Sequence, residues 1–564
     1  MIEARKSYRF SGLSLPYQQG PCPTEALQQK VLVQITKALG KRNAKAISVE
    51  EMTLVRRSLD ARKKHDIRWV FTVDVQLSQQ GKPLALPRRP GCGFEEAPVL
   101  AYHLPDCGQA PMLGRPVIAG FGPCGMFAAL TLARAGYQPL VLERGRDVET
   151  RSRDVEDFWA GGPLNPASNV QFGEGGAGTF SDGKLTTGIR DPRIRQVLED
   201  LVSFGADPDV RIDAKPHIGT DVLKGVVKAL REEVIRLGGE VRFGCRLTGV
   251  EAADGQRSVA ELQADKRSGA EMAKRQLIAV RYETPDGREE RIPASALLLA
   301  CGHSARDTFA DLQQAGIPMT PKPFSMGVRI QHPQRLIDEA QYGAENLEEK
   351  RKWLPPADYK LSWHCANGRG VYTFCMCPGG EIIQAASQEG HAVTNGMSLS
   401  ARDSGKANSG LLVDVRVSDY TEVPEEEPLA GVRYQETWER KAFLAGGYRG
   451  PVATWGQVQS HTAEGKALAG CLPEYVLTSI QEAMPHLGKK LHGFDGEDAL
   501  LIGVETRSSS PVRILRGEDY QSPALAGFFP GGEGCGYAGG IMSAACDGMK
   551  VAEQIIQTYE KPTA

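Results

Sequence analysis

Arg115-Pro-Val-Ile-Ala-Gly-Phe-Gly-Pro-Cys-Gly-Met-Phe-Ala-Ala-Leu-Thr-Leu-Ala-Arg-Ala-Gly-Tyr-Gln-Pro-Leu-Val-Leu-Glu-Arg144 is the stretch that decides how this chain is read. It parses as a short apolar strand, a glycine turn, a helix, a second strand and a terminal carboxylate. Val117 to Ala119 are apolar throughout, as a parallel strand buried on both faces is. Gly120, Gly122 and Gly125 give the G-x-G-x-x-G spacing. The first permits the tight turn, the second lets backbone approach a pyrophosphate, and the third lets the helix lie close to the sheet. A phosphate then meets the helix N-terminus, where free N–H groups and the positive dipole end favour an anion. Met126, Leu130 and Ala133 recur at helical spacing, and Leu140 to Leu142 form the next strand. Glu143 stands at its end, where a carboxylate accepts from ribose hydroxyls and disfavours a 2′-phosphate.

The same spacing recurs at Gly173, Gly175, Gly178 and at Gly534, Gly536, Gly539. Only the copy at Gly120 is followed by a helix, a strand and an acidic residue about 20 positions on, the context that dinucleotide binding requires. The run Asn169 to Lys184 holds four glycines between Gly173 and Gly178, which free the backbone to approach a flat or anionic ligand. The third cluster, Gly527 to Met549, opens a helix expected to run from Ala538 to about Tyr559. It is read as serving the far end of the same ligand, with Glu533 and the helix dipole facing a second phosphate or an anionic ring.

The chain has 564 residues and a net charge of −2, enough for about three domains and without bias toward polyanions or membranes. No run of about eighteen apolar residues occurs, and the first thirty or so residues lack an apolar core run, so a signal peptide and a membrane span are excluded and a cytoplasmic location is expected. The twelve cysteines form no C-x-x-C pair; reduced thiols and no metal site are expected.

Residues 1 to 108 read as a small α+β module, with strands near Tyr8 to Leu13 and Ile67 to Val75 and a helix over Glu25 to Leu39. The segment carries 17 Lys and Arg against 10 Asp and Glu, Arg56, Arg57, Arg62, Lys63 and Lys64 among them. A solvated basic face is favoured over a nucleic-acid contact, because no nucleic-acid motif accompanies the charge. Pro87 to Pro90 and Pro105 to Pro116 read as linker. Thr220 to Leu237 is an amphipathic helix, Glu240 to Val250 a strand entering a hairpin, and Asp254 to Lys274 an exposed insertion flanked by strands at Leu277 to Tyr282 and Arg288 to Ile292. Ser295 to Ala300 is a buried strand ending in Gly302, which brings His303, Arg306 and Asp307 to the crevice beyond a strand's carboxyl end. From Pro321 to Gly493 short alternating segments between Gly, Asn and Asp turns read as a β-rich domain. Cys375 and Cys377 lie two apart and are expected on one face of a strand, where packing suits them better than redox chemistry.

Gly-Glu-Gly-Gly-Ala-Gly-Thr-Phe-Ser-Asp-Gly-Lys-Leu (173 to 185), Gly-His-Ser-Ala-Arg-Asp-Thr-Phe (302 to 309), Thr-Phe-Cys-Met-Cys-Pro-Gly-Gly (373 to 380), Glu-Thr-Arg-Ser-Ser-Ser-Pro-Val-Arg (505 to 513) and Gly-Glu-Gly-Cys-Gly-Tyr-Ala-Gly-Gly-Ile (532 to 541) together resemble the bacterial FAD-dependent dehydrogenases with an extra N-terminal domain. These belong to the glutathione-reductase-like superfamily of two-domain flavoproteins, and the similarity covers about residues 112 to 560. The resemblance implies a Rossmann-like α/β fold for FAD in two pieces, 112 to 320 and 494 to 564, with a β-rich substrate domain inserted at 321 to 493. It puts Gly120, Gly122, Gly125, Glu143, Arg144, Gly175, Gly176, Gly178, Thr179, Leu247, Gly302, Gly532, Glu533, Gly539 and Gly540 at the cofactor. Cys124 departs from the alanine or serine of many flavin folds; a small thiol still fits.

The activity expected is transfer of a hydride or electron pair between a small-molecule substrate and the flavin N5. Arg306, Arg329, Arg507 and Lys184 are the candidate cations for an anionic substrate, and His303 is the leading acid or base. No second dinucleotide unit is visible, so any NAD(P)H would dock transiently. An NAD(P)H-dependent flavin monooxygenase is the alternative chemistry, and an RNA-binding or RNA-modifying flavoprotein using the basic N-terminal module is the alternative from another class.

Overall fold

The computed structural model describes residues 6–45, 47–80, 82–84, 86, 93–98, 101–253 and 275–562. The expected insertion at Asp254 to Lys274 and the linker at Pro87 to Pro90 lie outside them. At the centre is a parallel sheet in the spatial order Phe528–Pro530, Leu297–Leu299, Val117–Ala119, Leu140–Glu143, Glu240–Phe243. Its inner strands are short and apolar because both faces are covered, one by helices and the other mainly by an antiparallel layer that brings Leu277, Val280 and Tyr282 against Val117, Leu140 and Leu299. The glycine helix Pro123–Arg134 and the C-terminal helix Ile541–Thr558 pack together on one of those faces through Phe127, Leu130, Met549 and Ile555. Gly548 makes that approach possible, since a Cβ there would stand 2.0 Å from the Cys124 carbonyl oxygen. The molecule is therefore α/β, with the C-terminal strand and helix returning to the sheet that Val117 opens.

The segment 240 to 250 departs from the expected single strand. Glu240–Phe243 closes the edge of the parallel sheet, whereas Arg246–Ala252 turns away at Gly244 to pair with Arg275–Glu283 in a separate antiparallel layer completed by Glu289–Pro293. A second large sheet of six antiparallel strands runs Ser362–His364, Gly370–Pro378, Lys406–Val415, Phe324–Pro333, Leu500–Glu505, Val452–Thr454. The helices Gln334–Tyr342, Ala430–Gly446 and Glu474–Lys490 pack around it and bury Val328, Ile330, Leu411, Ile480 and Met484. Beside it lies the hairpin Glu381–Gln384 with Thr394–Met397.

The N-terminal segment forms its own sheet, in which Ile47–Asp60, Arg68–Gln79, Ser7–Pro16 and Phe94–Glu96 follow one another, with the helix Thr24–Leu39 over one face. Ile47–Asp60 is not among the expected strands, because the adjacent charged pairs Glu50-Glu51 and Arg56-Arg57 break the apolar alternation. Arg57 is not part of a solvated basic face. It is buried against the next domain, where Nε and Nη2 donate to Asp213 and Asp209 at 2.5 and 2.7 Å. Among the described residues no helix is long and apolar enough to cross a membrane.

Candidate active site

One elongated cleft joins the three glycine runs. Gly120 and Gly122 line it from the first run, Gly176 and Gly178 from the second, and Gly539 and Gly540 from the third. With its open mouth it encloses about 1670 Å³ of empty space. Two helix N-termini reach it, those of Pro123–Arg134 behind Gly122 and of Ile541–Thr558 behind Gly540, each with N–H groups that have no acceptor within the helix. Gly302, Gly539 and Gly540 border space in which a Cβ would meet nothing within 4 Å. Such a cradle fits an extended ligand carrying phosphates and a flat ring.

Glu143, expected at a ribose, already accepts from three backbone amides. Its Oε2 accepts from the Phe121 amide at 2.7 Å, and its Oε1 accepts from the amides of Gly145 and Gly173 at 2.8 and 3.0 Å. The carboxylate thus ties the first glycine turn to the second glycine run, and both oxygens are organised before any ligand arrives. Arg144 lines the cleft with its guanidinium 4.3 Å over the Phe172 ring and Nη2 donating to Asp307 at 2.7 Å. Leu247 gives the cleft an apolar wall on that side. Cys124 is buried at the start of the glycine helix, and burial holds its thiol well above the usual range, so it brings no charge to the phosphate end.

Four of the expected cofactor residues support the cleft instead of lining it. A Cβ at Gly125 would stand 2.0 Å from the Gly120 carbonyl oxygen, at Gly175 it would stand 2.1 Å from Thr179 Oγ1, and at Gly532 it would stand 2.8 Å from Cys124 Cβ. Thr179 is itself fully buried, its hydroxyl donating to the Glu174 carbonyl at 3.3 Å.

Beyond the cradle, His303 and Glu533 face one another with Nε2 and Oε1 3.9 Å apart. Burial, then the charges of Arg507 and Arg306, push His303 down to about 3. Burial pushes Glu533 up to about 7 against the pull of Lys322. The pair is therefore not an ion pair. His303 is a neutral imidazole and a poor base, and the group that changes charge near neutral pH is Glu533.

The expected cations separate. Arg306 does not reach the cleft, and neither does Arg329. Arg306 donates to Glu439 from Nη1 and Nη2 at 2.9 and 2.8 Å, and Arg507, which does line the cleft, grips the same carboxylate from Nε and Nη2 at 3.0 and 2.8 Å. Burial opposes charge on Glu439, but the two guanidinium groups hold its carboxyl well below the usual range. Arg329 is fully buried, with Nη1 on Glu505 at 2.9 Å and Nη2 on the Cys375 carbonyl at 2.7 Å. Lys184 lines the cleft.

The cleft also contains residues that sequence reasoning passed over. Phe374, Cys375, Thr394, Asn395 and Gly396 line its far end. Asn395-Gly396 signals a turn in sequence, yet it sits within the strand Thr394–Met397. Cys375 and Cys377 both border the cleft, but not as equivalent positions of a regular strand. The pairing with Lys406–Val415 shifts register between Phe374 and Cys377, Cys375 adopts φ +42°, and it lies exposed toward the cleft while Cys377 is buried. A bulge re-aims the side chains around it, which two-residue alternation cannot foresee.

Residues 323–508 match the family described as FAD-dependent protein, C-terminal domain-like. A protein of Clostridium beijerinckii, described as uncharacterized, is 43% identical over 540 residues, 93% of this chain and 95% of that one. The chain and that protein belong to one family, and residues 323–508 of the chain carry this FAD-dependent protein domain. Among solved structures it is similar to flavin-dependent brominase Bmp2 at 13% identity and a TM-score of 0.36, covering 79% of each chain. Flavoprotein/dehydrogenase from Cytophaga hutchinsonii is similar at 12% identity and 0.33, covering 80% of each. Aklavinone-11 hydroxylase, in its complex with FAD and aklavinone, is similar at 13% and 0.34, covering 78% of this chain and 61% of that one.

Proposed function

We propose that the chain binds FAD non-covalently along the cleft and works as an oxidoreductase on a small-molecule substrate, moving an electron pair between that substrate and the flavin. The observation that carries this reading is the convergence of three glycine runs, the third more than three hundred residues beyond the other two, on one cleft flanked by two helix N-termini. Gly120, Gly122, Gly176 and the amides behind them would hold the pyrophosphate, with Glu143 keeping the two turns in register and accepting from the ribose. Gly302, Gly539, Gly540 and Glu533 would border the opposite end. FAD, when bound, supplies two-electron redox chemistry at its ring system. His303 contributes a neutral hydrogen-bonding imidazole, and Glu533 is the group able to hold or release a proton near pH 7. Lys184 orients an anionic substrate.

The domain division belongs to the same proposal: an N-terminal module to about residue 108, a nucleotide domain from 112, a β-rich domain from 321 and a return to the nucleotide domain. The return begins after Glu505 and not at 494, since Leu500–Glu505 pairs with Phe324–Pro333.

Reconstitution tests the reading. Purified protein should be yellow or take up one FAD per chain, and a folded protein that remains colourless with excess FAD would end the proposal. Anaerobic reduction of the bound flavin by a metabolite, without any oxygenated product when air is admitted, separates dehydrogenation from oxygenation. Oxygenated product formed at the expense of NADPH would move the assignment to a monooxygenase.

A further inference from the structure

One end of the cleft is walled by side chains instead of glycine backbone, and nothing so far explains them. Thr394 is 3% exposed, and its hydroxyl has no hydrogen-bond partner. A buried hydroxyl left unpaired is costly, and an acceptor oxygen on a resident ligand would relieve it. Phe374 and Val393 make the adjoining wall apolar.

Charge is the second observation, and it is independent of the first. Lys184 lines the same compartment with its ammonium 3.8 Å from Asp182. That carboxylate is already taken, held by Arg402 Nη2 at 2.6 Å and by the Ser398 hydroxyl. The surrounding charges cancel among themselves. Arg329 pairs with Glu505, and Arg306 and Arg507 share Glu439 with Glu436 3.6 Å from Arg306. His217, whose backbone pairs with Lys184, is pushed down to about 4 by burial and then by Arg402, so it adds no charge at neutral pH. Of the charges named here one positive charge is left over, on Lys184. Cys375 stands exposed in this compartment, and burial of its surroundings pushes its thiol up to about 12, so it remains protonated.

We infer that this compartment is the substrate chamber and that it takes a small organic carboxylate, paired with Lys184, an oxygen of the same molecule accepting from the Thr394 hydroxyl and Cys375 lying against its carbon skeleton. The inference rests on the FAD reading above, and the single surplus charge favours a monoanion over a phosphate or a dicarboxylate. No covalent step is assigned to Cys375; it reports occupancy.

The experiment uses the full-length protein reconstituted with FAD and three probes, acetate, benzoate and sulfate. Two signals are followed, perturbation of the flavin absorption band and the rate at which excess iodoacetamide labels Cys375 near pH 9, where a small thiolate fraction of the raised thiol reacts, read by peptide mass. Acetate or benzoate should perturb the band and slow the labelling, while sulfate does neither. Thr394→Val should weaken either effect about tenfold, the loss of one hydrogen bond to a charged acceptor. Lys184→Gln should abolish both and Lys184→Arg should keep them. The inference is overturned if neither carboxylate moves either signal, if sulfate acts as strongly as benzoate, or if Lys184→Gln responds like the parent protein. Failure of the FAD reading looks different, because the protein then shows no flavin band before any probe is added, while labelling of Cys375 in the flavin-free protein still reports on the chamber.

Discussion

At the residue scale, two glycines of one motif do different physical work, and substitution separates them. A Cβ on Gly125 would lie 2.0 Å from a carbonyl oxygen of the preceding turn, whereas a Cβ on Gly122 would have Gly176 Cα at 3.6 Å, an ordinary contact. Gly125→Ala should therefore lower the unfolding free energy by about 3 kcal/mol or more, by overpacking where helix meets strand. Gly122→Ala should cost about 1 kcal/mol at most in the flavin-free protein and show its effect as lost FAD retention. Denaturant melts and FAD titrations of both variants check the contrast, and equal effects on stability would contradict it. Spacing made the three roles legible because each follows from backbone geometry alone. The fates of Arg306 and Arg329 were not legible, because the carboxylates that take them, Glu439 and Glu505, lie more than a hundred residues away. Titration belongs to this scale as well. Glu533 is raised from its ordinary carboxylate value to about 7, so its contribution to stability is full below pH 4.5 and is lost as pH rises through 7. His303, depressed to about 3, acts the opposite way but only below its unfolded value near 6.5. Between pH 6.5 and 8 Glu533 stands clear of that histidine, and Glu533→Gln should reduce the parent's loss of stability across the window by about 1 kcal/mol in the flavin-free protein. Parallel pH profiles for parent and variant would remove the assignment.

At the element scale, strand and helix cores were legible wherever an apolar period ran unbroken. The helix Thr220–Arg236 and the strand Phe324–Pro333 are of that kind. The strand Ile47–Asp60 and the helix Glu474–Lys490 were not, the one hidden by adjacent charged pairs and the other by Pro485 in its interior. The bulge in Gly370–Pro378 is the clearest case of a feature that no period encodes. Arg329 holds it by donating to the Cys375 carbonyl, and the left-handed backbone at Cys375 turns that residue to the cleft. A non-glycine residue at positive φ carries a strain of about 1 kcal/mol. Cys375→Gly should then be neutral or stabilising by up to about 1 kcal/mol, while Cys377→Gly, at a buried position, should cost about 2 kcal/mol. A regular strand with both thiols on one face would be weakened by either change, so matched thermal melts decide between the two descriptions.

At the scale of the whole molecule, the N-terminal sheet is held to the nucleotide domain by a cation that sequence assigned to solvent. Arg57 makes a fork to Asp213 and Asp209, and its backbone N–H and carbonyl bond to Ile212 and Ala214 at 2.7 and 2.9 Å. The side chain is buried while its partners are half exposed, so the pair is worth less than a fully enclosed one, and Arg57→Ala should cost about 2 kcal/mol, most of it from carboxylates left without a counter-charge. The loss should be local. Amide exchange should quicken along Ile47–Asp60 and in the 208 to 214 segment and stay slow in the helix Pro123–Arg134, which is held by the helix Ile541–Thr558 and not by the N-terminal sheet. Arg57→Lys should not restore protection, because an ammonium cannot reproduce the two-pronged geometry of a guanidinium between two carboxylates. Exchange that quickens everywhere, or a lysine variant indistinguishable from the parent, would mean that the contact does not join two separately stable parts. The same substitution also bears on what the basic N-terminal surface can do. Arg57 faces inward, so any polyanion contact made by this module would come from exposed cations such as Lys41, Arg42, Arg62, Lys63 and Lys64 and not from this residue, and removing Arg57 should leave the salt dependence of such binding unchanged.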